Sequence, residues 1–302
     1  MTAAAAQASA KRSGLAIKIG DVVRVIVICL FIVFFAVPLI WLLLAPTKTH
    51  DQLQSLSPMA FGTFGHIIFA WQRLSTFNNT EILVWLRNSA VYSISGDLLA
   101  LVTAIPAGYV MATANFPGRK LLLNLTLISM IVPGAALVLP LFLEFHDLHL
   151  LNTVWAVILP FGLHPFGAFL AYIYYSTSLD KAIMDAARVD GCGETRMFWN
   201  IALPLSGNII GLVAFFNFVG NWNNYFLPFV VLTNDQQYPL TVGLEDLLSS
   251  SAAINPGSQS NFLPIYAPEV LLAGIVTVIP IMIVLLASQR LFARGILAGA
   301  VK

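Results

Sequence analysis

Charge is what this sequence has least of. Asp, Glu, Lys and Arg make up 10% of its 302 residues, where soluble domains carry about a quarter. So few solvating groups exclude an ordinary water-soluble domain. The charges that remain nearly cancel, 15 Lys+Arg against 14 Asp+Glu, which excludes electrostatic attraction to nucleic acid or another polyanion. Cysteine is scarce too. Cys29 and Cys192 are too few for a disulfide framework, and the topology below puts one in a membrane span and the other in an internal loop, so no disulfide is expected. The phosphate-gripping string G-x-x-x-x-G-K-[ST] is missing, so ATP hydrolysis by this chain is not expected. No internal repeat of about 20–50 residues is visible.

What is present is apolar: 58% hydrophobic residues. They gather in six long runs, 22–44, 88–111, 121–143, 153–175, 208–232 and 270–288, in which Arg24 and Asp97 are the fully charged side chains. Each run matches the roughly 17–25 residues a helix needs to cross a bilayer, and a barrel would show short alternating segments instead. The expectation is an all-α membrane protein with six transmembrane helices. Lys11, Arg12, Lys18, Arg24, Arg119, Lys120, Lys181, Arg188, Arg196, Arg290, Arg294 and Lys302 fall on one side, and Lys48, Arg73 and Arg87 on the other. Positive residues are retained inside, so both ends are expected in the cytoplasm. Residues 1–20 read as a mobile tail, 21–292 as the six-helix membrane-spanning domain and 293–302 as a second tail. The first run exceeds a usual signal core and is kept as a permanent span. Every run contains proline, which fits either a bundle that rocks between two shapes or the general tolerance of membrane helices for proline. Residues 251–264 read as an irregular external loop.

The most informative stretch is the internal loop 176–204. Its first helix, about 179–189, follows Ser178, has Asp180 near its positive end and stops at Gly191, suited to a left-handed helix end. Asp185 and Arg188 stand three apart and can pair. Thr195 can cap a second helix with Met197, Phe198 and Ile201 on one face, until Pro204 turns back to the membrane. Ala186 and Ala187 make the first helix thin enough for a groove, and Met197 and Phe198 can anchor it to a partner. An amphipathic loop could also lie on the lipid surface, although Asp180, Asp185, Asp190 and Glu194 outnumber Lys181, Arg188 and Arg196, a balance anionic lipid repels.

The string DAARVDGCGETRMFWNIALP, residues 185–204, resembles the EAA loop of permease subunits of bacterial ABC importers. Ala186, Ala187, Asp190, Gly191, Phe198, Ile201, Leu203 and Pro204 match in register. Asp185 stands for the family's glutamate and Cys192 for an alanine. NWNNYFLP at 221–228, YPLTVGL at 238–244 and QRLFARGILAGAVK at 289–302 are similar to carbohydrate-uptake permeases, and the ending resembles the smaller six-span permease of the maltose transporter group. Two departures are Thr177 and Ser178 where the family often has proline, and Asn224 where an acidic residue is usual.

The resemblance implies a type I ABC-importer permease bundle whose coupling helices sit in a cleft of a cytoplasmic ATPase. It makes Asp185, Ala186, Ala187, Asp190, Gly191, Met197, Phe198 and Ile201 the coupling residues. It also implies a second permease, two ATPase subunits that carry ATP and Mg, an external solute-binding protein met by the 233–267 loop, and a bacterial cytoplasmic membrane. No cofactor on this chain and no catalytic role are expected. The function implied is translocation of a sugar or oligosaccharide. An ion-coupled secondary carrier using Asp97 and an ABC permease for a non-sugar solute are the alternatives, and a membrane-embedded enzyme finds no nucleophile and base pairing.

Asn217, Asn221 and Asn224 are spaced as one helical stripe, beside Phe218, Trp222 and Tyr225. Amides and aromatic rings suit a carbohydrate pathway. They equally suit contacts between helices and the membrane interface, and both readings stand. Asp97 must face protein or water, and a packing contact is favoured over proton coupling. His146, Asp147 and His149 read as solvated loop residues, with no metal site expected. His164 reads as a buried polar contact at a kink.

Overall fold

The computed structural model describes residues 3–77, 81–251 and 265–299, and contains no strand among the described residues. A helix pairs its own N–H and C=O groups within one segment, which is what a solvent without hydrogen bonds demands. The chain divides into two units, Met1–Trp71 with Tyr266–Ile275, and Gln72–Ile265 with Val276–Lys302.

In the first unit, α1 (Ala3–Leu44) starts at Ala3, so the stretch read as a tail is helix continuous with the first span. Most of its apolar residues from Val22 to Leu43 are exposed, with Ala36, Trp41 and Leu42 half-buried. Beyond a 3-10 turn at Ala45–Thr47, the fully buried Lys48 donates to the carbonyls of Ser57 and Pro58, both at 3.0 Å, which offsets the cost of removing an ammonium from water. Thr47 fastens the same segment by accepting from the N–H of Gly62 at 2.9 Å. Next comes α2 (His50–Ser55), opened by a reciprocal cap between Thr49 and Gln52. In chain order α3 (Phe64–Thr76) follows and runs past the unit boundary.

The second unit contains α4 (Glu81–Thr113), α5 (Arg119–Ile131), α6 (Gly134–Asp147), α7 (Val154–Gly162), α8 (Pro165–Thr177), α9 (Lys181–Val189), α10 (Glu194–Met197), a π-turn at Phe198–Ala202, α11 (Leu203–Leu205), α12 (Gly207–Trp222), α13 (Phe226–Val231) and α14 (Leu240–Ser250). The last helix, α15 (Ala267–Gly299), starts in the first unit and ends in the second. The central helix is α4, which packs on α7, α8, α12 and α14. Gly96, Ala100, Ala104 and Gly108 recur every fourth residue along it and are all buried, a small-residue seam that lets backbones approach closely. At Gly108 a Cβ would meet the side chain of Ala171, the Tyr172 nitrogen at 2.7 Å and the Ala168 oxygen at 2.8 Å.

Among the described residues four helical stretches are long and apolar enough to cross a membrane: Gly20–Thr47, Glu81–Thr113, Val154–Thr177, which takes in α7 and α8, and Ala267–Gln289. Six result if each of two bent pairs counts as one span. The run 121–143, expected as one span, is broken between α5 and α6 by a 105° bend. The run 153–175 is interrupted between α7 and α8. Both breaks have one cause. Proline drives the residue before it out of the helical region, and Val132 before Pro133 has ψ 122° while His164 before Pro165 has ψ 86°. The run 208–232 is also split: α12 has 16 residues and ends at Trp222, and the chain turns before α13. Of the stretch 251–264 expected as an irregular external loop, Ser251 is described, buried at the end of α14, and 252–264 lie outside the described residues, as do residues 300–302 of the C-terminal tail.

On the side opposite the internal loop, the turn 233–240 is fastened to α4. Trp85 Nε1 donates to the Asp235 carbonyl at 3.1 Å, Asn88 Nδ2 to those of Gln236 and Tyr238 at 2.8 and 3.1 Å, and Tyr92 Oη to that of Gln237 at 2.8 Å. Ser89 Oγ accepts from the N–H of Leu240 at 2.7 Å. Asn152 Oδ1 receives the N–H groups of Thr233 and Asn234. Burial raises the Asp246 carboxyl above its usual range, and Asp235 nearby adds to that effect.

Gly108→Val forces α4 and α8 apart and is expected to destabilise the bundle by roughly 1–3 kcal/mol. A lowered thermal midpoint in detergent, with Gly220→Ala as a control at an exposed helical site where nothing lies within 4 Å, checks it. An unchanged midpoint would contradict the close crossing.

Candidate functional site

The loop 176–204 is built from local rules upward. Asp180 is the N-cap of α9, its carboxylate accepting from the N–H of Ala182 at 2.9 Å. Ser178, read from the sequence as the start, instead closes α8, its N–H bonded to the Tyr174 carbonyl at 2.8 Å. α9 ends in paired bonds, Cys192 N to Ala187 O at 2.9 Å and Gly191 N to Arg188 O at 3.0 Å. Gly191 at φ 75° is the left-handed residue this ending requires. The second helix is capped at Gly193, not at Thr195 as expected, and Glu194 occupies its first turn. Arg188 joins the two helices, donating to Asp185 Oδ1 at 3.0 Å and to Glu194 Oε1 at 3.1 Å. These carboxylates, Glu194 first, raise the guanidinium further above its ordinary value, so the bridge stays charged at any physiological pH.

The apolar residues divide between two faces. Met184, Ala187, Met197, Phe198 and Ala202 form one buried cluster with Ile105, Tyr109, Ala171, Tyr175, Ile209 and Val213 of α4, α8 and α12. The Tyr109 ring lies 5.0 Å from that of Phe198 and 5.3 Å from that of Tyr175. This corrects the expectation that Met197 and Phe198 anchor a partner. At 0% and 8% exposure they seat the loop on its own bundle, because that is where an apolar face can leave water. Ala187 turns inward with them, and Ile201 is half-buried against the same cluster. Asp185, Ala186, Asp190 and Gly191 remain exposed. With them stand Ile183, Val189 at 88% exposure and Trp199 at 59%, which the sequence reading missed. The signal was present: Met184 and Ala187 form one apolar stripe on α9, Ile183 and Ala186 a second one residue away, and a helix apolar on two faces has two surfaces to cover.

Behind α9 a cavity of about 440 Å³ is lined by Ala112, Thr113, Asn115, Arg119, Tyr172, Tyr175, Ser176, Leu179, Met184, Asp185 and Arg188. Arg119 donates to the carbonyls of Met111 and Ala112 at 2.6 and 3.1 Å and to Asn115 Oδ1 at 3.2 Å, which satisfies the open end of α4.

The amide stripe is not continuous. Asn217 is buried and donates to the Gly96 carbonyl at 3.4 Å and to Asp97 Oδ1 at 3.3 Å, so Asp97 is held by a packing contact between α4 and α12. Trp222 is 3% exposed and donates to the Thr277 carbonyl at 2.9 Å. These two join helices. Asn224 leaves the stripe because α12 ends at Trp222; its carbonyl accepts from Thr241 Oγ1 at 2.7 Å. Both polar atoms of the Asn221 amide, and Nδ2 of Asn224, are buried without a partner in this chain. Tyr225 stacks on Phe229 at 5.2 Å. His164 precedes α8 with Nδ1 buried and unpartnered. His146 and Asp147 contact each other at 3.3 Å on the surface. Among the described residues no group of three or more His, Cys, Asp or Glu is placed to hold a metal ion.

The helical bundle with its capped, stapled helix pair belongs to a class of transport permeases that the sequence itself identifies. Residues 104–298 match the family described as "Binding-protein-dependent transport system inner membrane component", and the chain belongs to that family. It is 34% identical to the arabinooligosaccharides transport system permease protein AraQ of Halalkalibacterium halodurans, over 90% of this chain and 93% of that one. It is 29% identical to the lactose transport system permease protein LacG of Rhizobium radiobacter, over 94% and 97%. It is also 29% identical to the diacetylchitobiose uptake system permease protein NgcG of Streptomyces coelicolor, over 89% and 85%. Its fold matches a chain in the crystal structure of a bacterial ABC transporter involved in the import of the acidic polysaccharide alginate, with TM-score 0.77, 20% identity, and coverage of 90% of this chain and 96% of the other.

Gly191→Val is expected to destabilise the turn by about 1–2 kcal/mol, because a branched side chain is poorly tolerated at positive φ, while Gly193→Ala, at φ −71° with open space around it, costs less. Faster amide exchange at Cys192 in the first variant and not in the second checks this. Equal exchange in both would contradict it.

Proposed function

We propose that this chain is one permease half of an ATP-driven importer that carries short oligosaccharides, delivered by an external solute-binding protein, across a bacterial cytoplasmic membrane. A second permease completes the pathway, and two ATPase subunits holding ATP and Mg drive it from the cytoplasmic side, where both ends of the chain lie. The observation that carries the reading is the exposed face of the stapled loop. Ile183, Ala186, Val189 and Trp199 stand in water beside Asp185, Asp190 and Gly191, on a loop whose other face is already buried. The names of the three relatives above, each a permease for a saccharide, support the substrate class. Asp185, Ala186, Asp190 and Gly191 meet the ATPase, while Ala187, Met197, Phe198 and Ile201 transmit by holding the loop to the spans. Asn221 and Asn224 offer unpaired amides to a passing hydroxyl or to the second permease, with Tyr225 beside them; Asn217 and Trp222 support them from behind. An ion-coupled carrier is not favoured, since Asp97 is engaged by Asn217.

Proteoliposomes containing the whole complex, loaded with ATP and offered labelled arabinotriose, lactose or diacetylchitobiose, test this. Saturable uptake of at least one sugar is expected, dependent on ATP and the binding protein and surviving a protonophore. Uptake that needs no ATP and collapses with the ion gradient would overturn it.

A further inference from the structure

The coupling loop enters from α8 and leaves into α12, and the same two adjacent tyrosines stand at both junctions. The axis turns by 77° between the 194–205 segment and α12, and the π-turn just before it leaves the helical hydrogen bonds out of register. At the bend the N–H of Ser206 bonds the Leu203 carbonyl at 3.0 Å, and the Ser206 hydroxyl donates to the Ala202 carbonyl in place of a backbone donor. Ser206 is fully buried, and its oxygen lies 2.7 Å from Tyr175 Oη. With the single serine proton on Ala202, Tyr175 is the donor between the two hydroxyls. Tyr174 Oη donates to the Leu205 carbonyl at 2.7 Å. The last turn of α8 thus holds the carbonyl and hydroxyl groups on which the bend of the next span is built.

We propose that Tyr174 and Tyr175 are positioning residues for transport: they tie the exit of the coupling loop to its entry, so that a displacement of the loop moves α8 and α12 together. The inference rests on the ATP-driven reading above. Without the tie, the π-turn and the bend form a soft joint, and a push on α9 and α10 is absorbed there instead of reaching α12. Both tyrosines also carry ring contacts, 5.4 Å between their own centroids and 5.3 Å from Tyr175 to Tyr109. Replacement by phenylalanine removes the hydroxyl bonds while keeping those contacts.

The test uses the complete complex in lipid, with hydrogen exchange followed by mass spectrometry before and after Mg-ATP with vanadate. In the unaltered complex the change in protection is expected in residues 181–202 and 207–222 alike. In Tyr174→Phe with Tyr175→Phe, the change in 181–202 is expected to persist while that in 207–222 falls to less than half. Tyr174→Phe alone, at a half-exposed site, and Tyr175→Phe with Ser206→Ala provide two further routes to the same loss. An undiminished response of 207–222 in all three overturns the proposal, and so does loss of response in both segments together, which signals failed docking. An unaltered complex that ignores Mg-ATP overturns instead the ATP-driven reading itself.

Discussion

The apolar seat of the loop 176–204 is the contact on which the rest depends. Met184, Ala187, Met197, Phe198 and Ala202 are buried against Tyr109, Ala171, Tyr175 and Val213. Burying side chains of this size contributes on the order of 1.5–3 kcal/mol each for the larger ones. That far exceeds what the exposed bridge through Arg188 adds, since ion pairs in water are weak. The bridge fixes the angle of the helix pair, and the burial fixes its place. A loop attached through its backbone alone could move without its spans. Here the inner face is part of the same packed cluster as α4, α8 and α12, and packed clusters transmit displacement because they have little room to deform.

The spans are arranged to receive such a displacement. α4 brings its neighbours close through the seam Gly96, Ala100, Ala104 and Gly108, while its N-terminal half fastens the turn 233–240 by the carbonyls of four successive residues. The broken helices around it, α5 with α6, α7 with α8, and the segment leading into α12, supply the bends. A rigid centre with jointed surroundings can change shape in discrete steps without exposing backbone groups to lipid, where each unpaired one is costly.

Much of this could be read from residues close together in sequence. Asp190 and Gly191 announced the left-handed ending of α9, and Asp185 with Arg188 announced their pairing, because both depend on neighbours within one turn. The bends at Pro133 and Pro165 follow from the pre-proline restriction and were legible as kinks, though each run was read as one continuous span. The seam on α4 was equally visible as a four-residue period, but its meaning needs α8 opposite it. Which way Met197 and Phe198 face was not legible: an apolar stripe reports that it is covered, not by what. The end of α12 before Asn224 has no proline or glycine just beyond it to mark it. It is fixed by Asn223 Nδ2 on the Val219 carbonyl and by Thr241 on Asn224, a side-chain cap and a contact with α14.

Maleimide labelling of single cysteines, on a background with Cys29→Ser and Cys192→Ser, measures the two faces of the loop directly. The account predicts that Val189→Cys is labelled in the isolated permease and protected once the ATPase subunits are bound, while Met197→Cys stays unlabelled in both. A cysteine at 197 that labels freely in the isolated chain and is protected on assembly would contradict it, for the face described as seating the loop would then be the one presented to the partner.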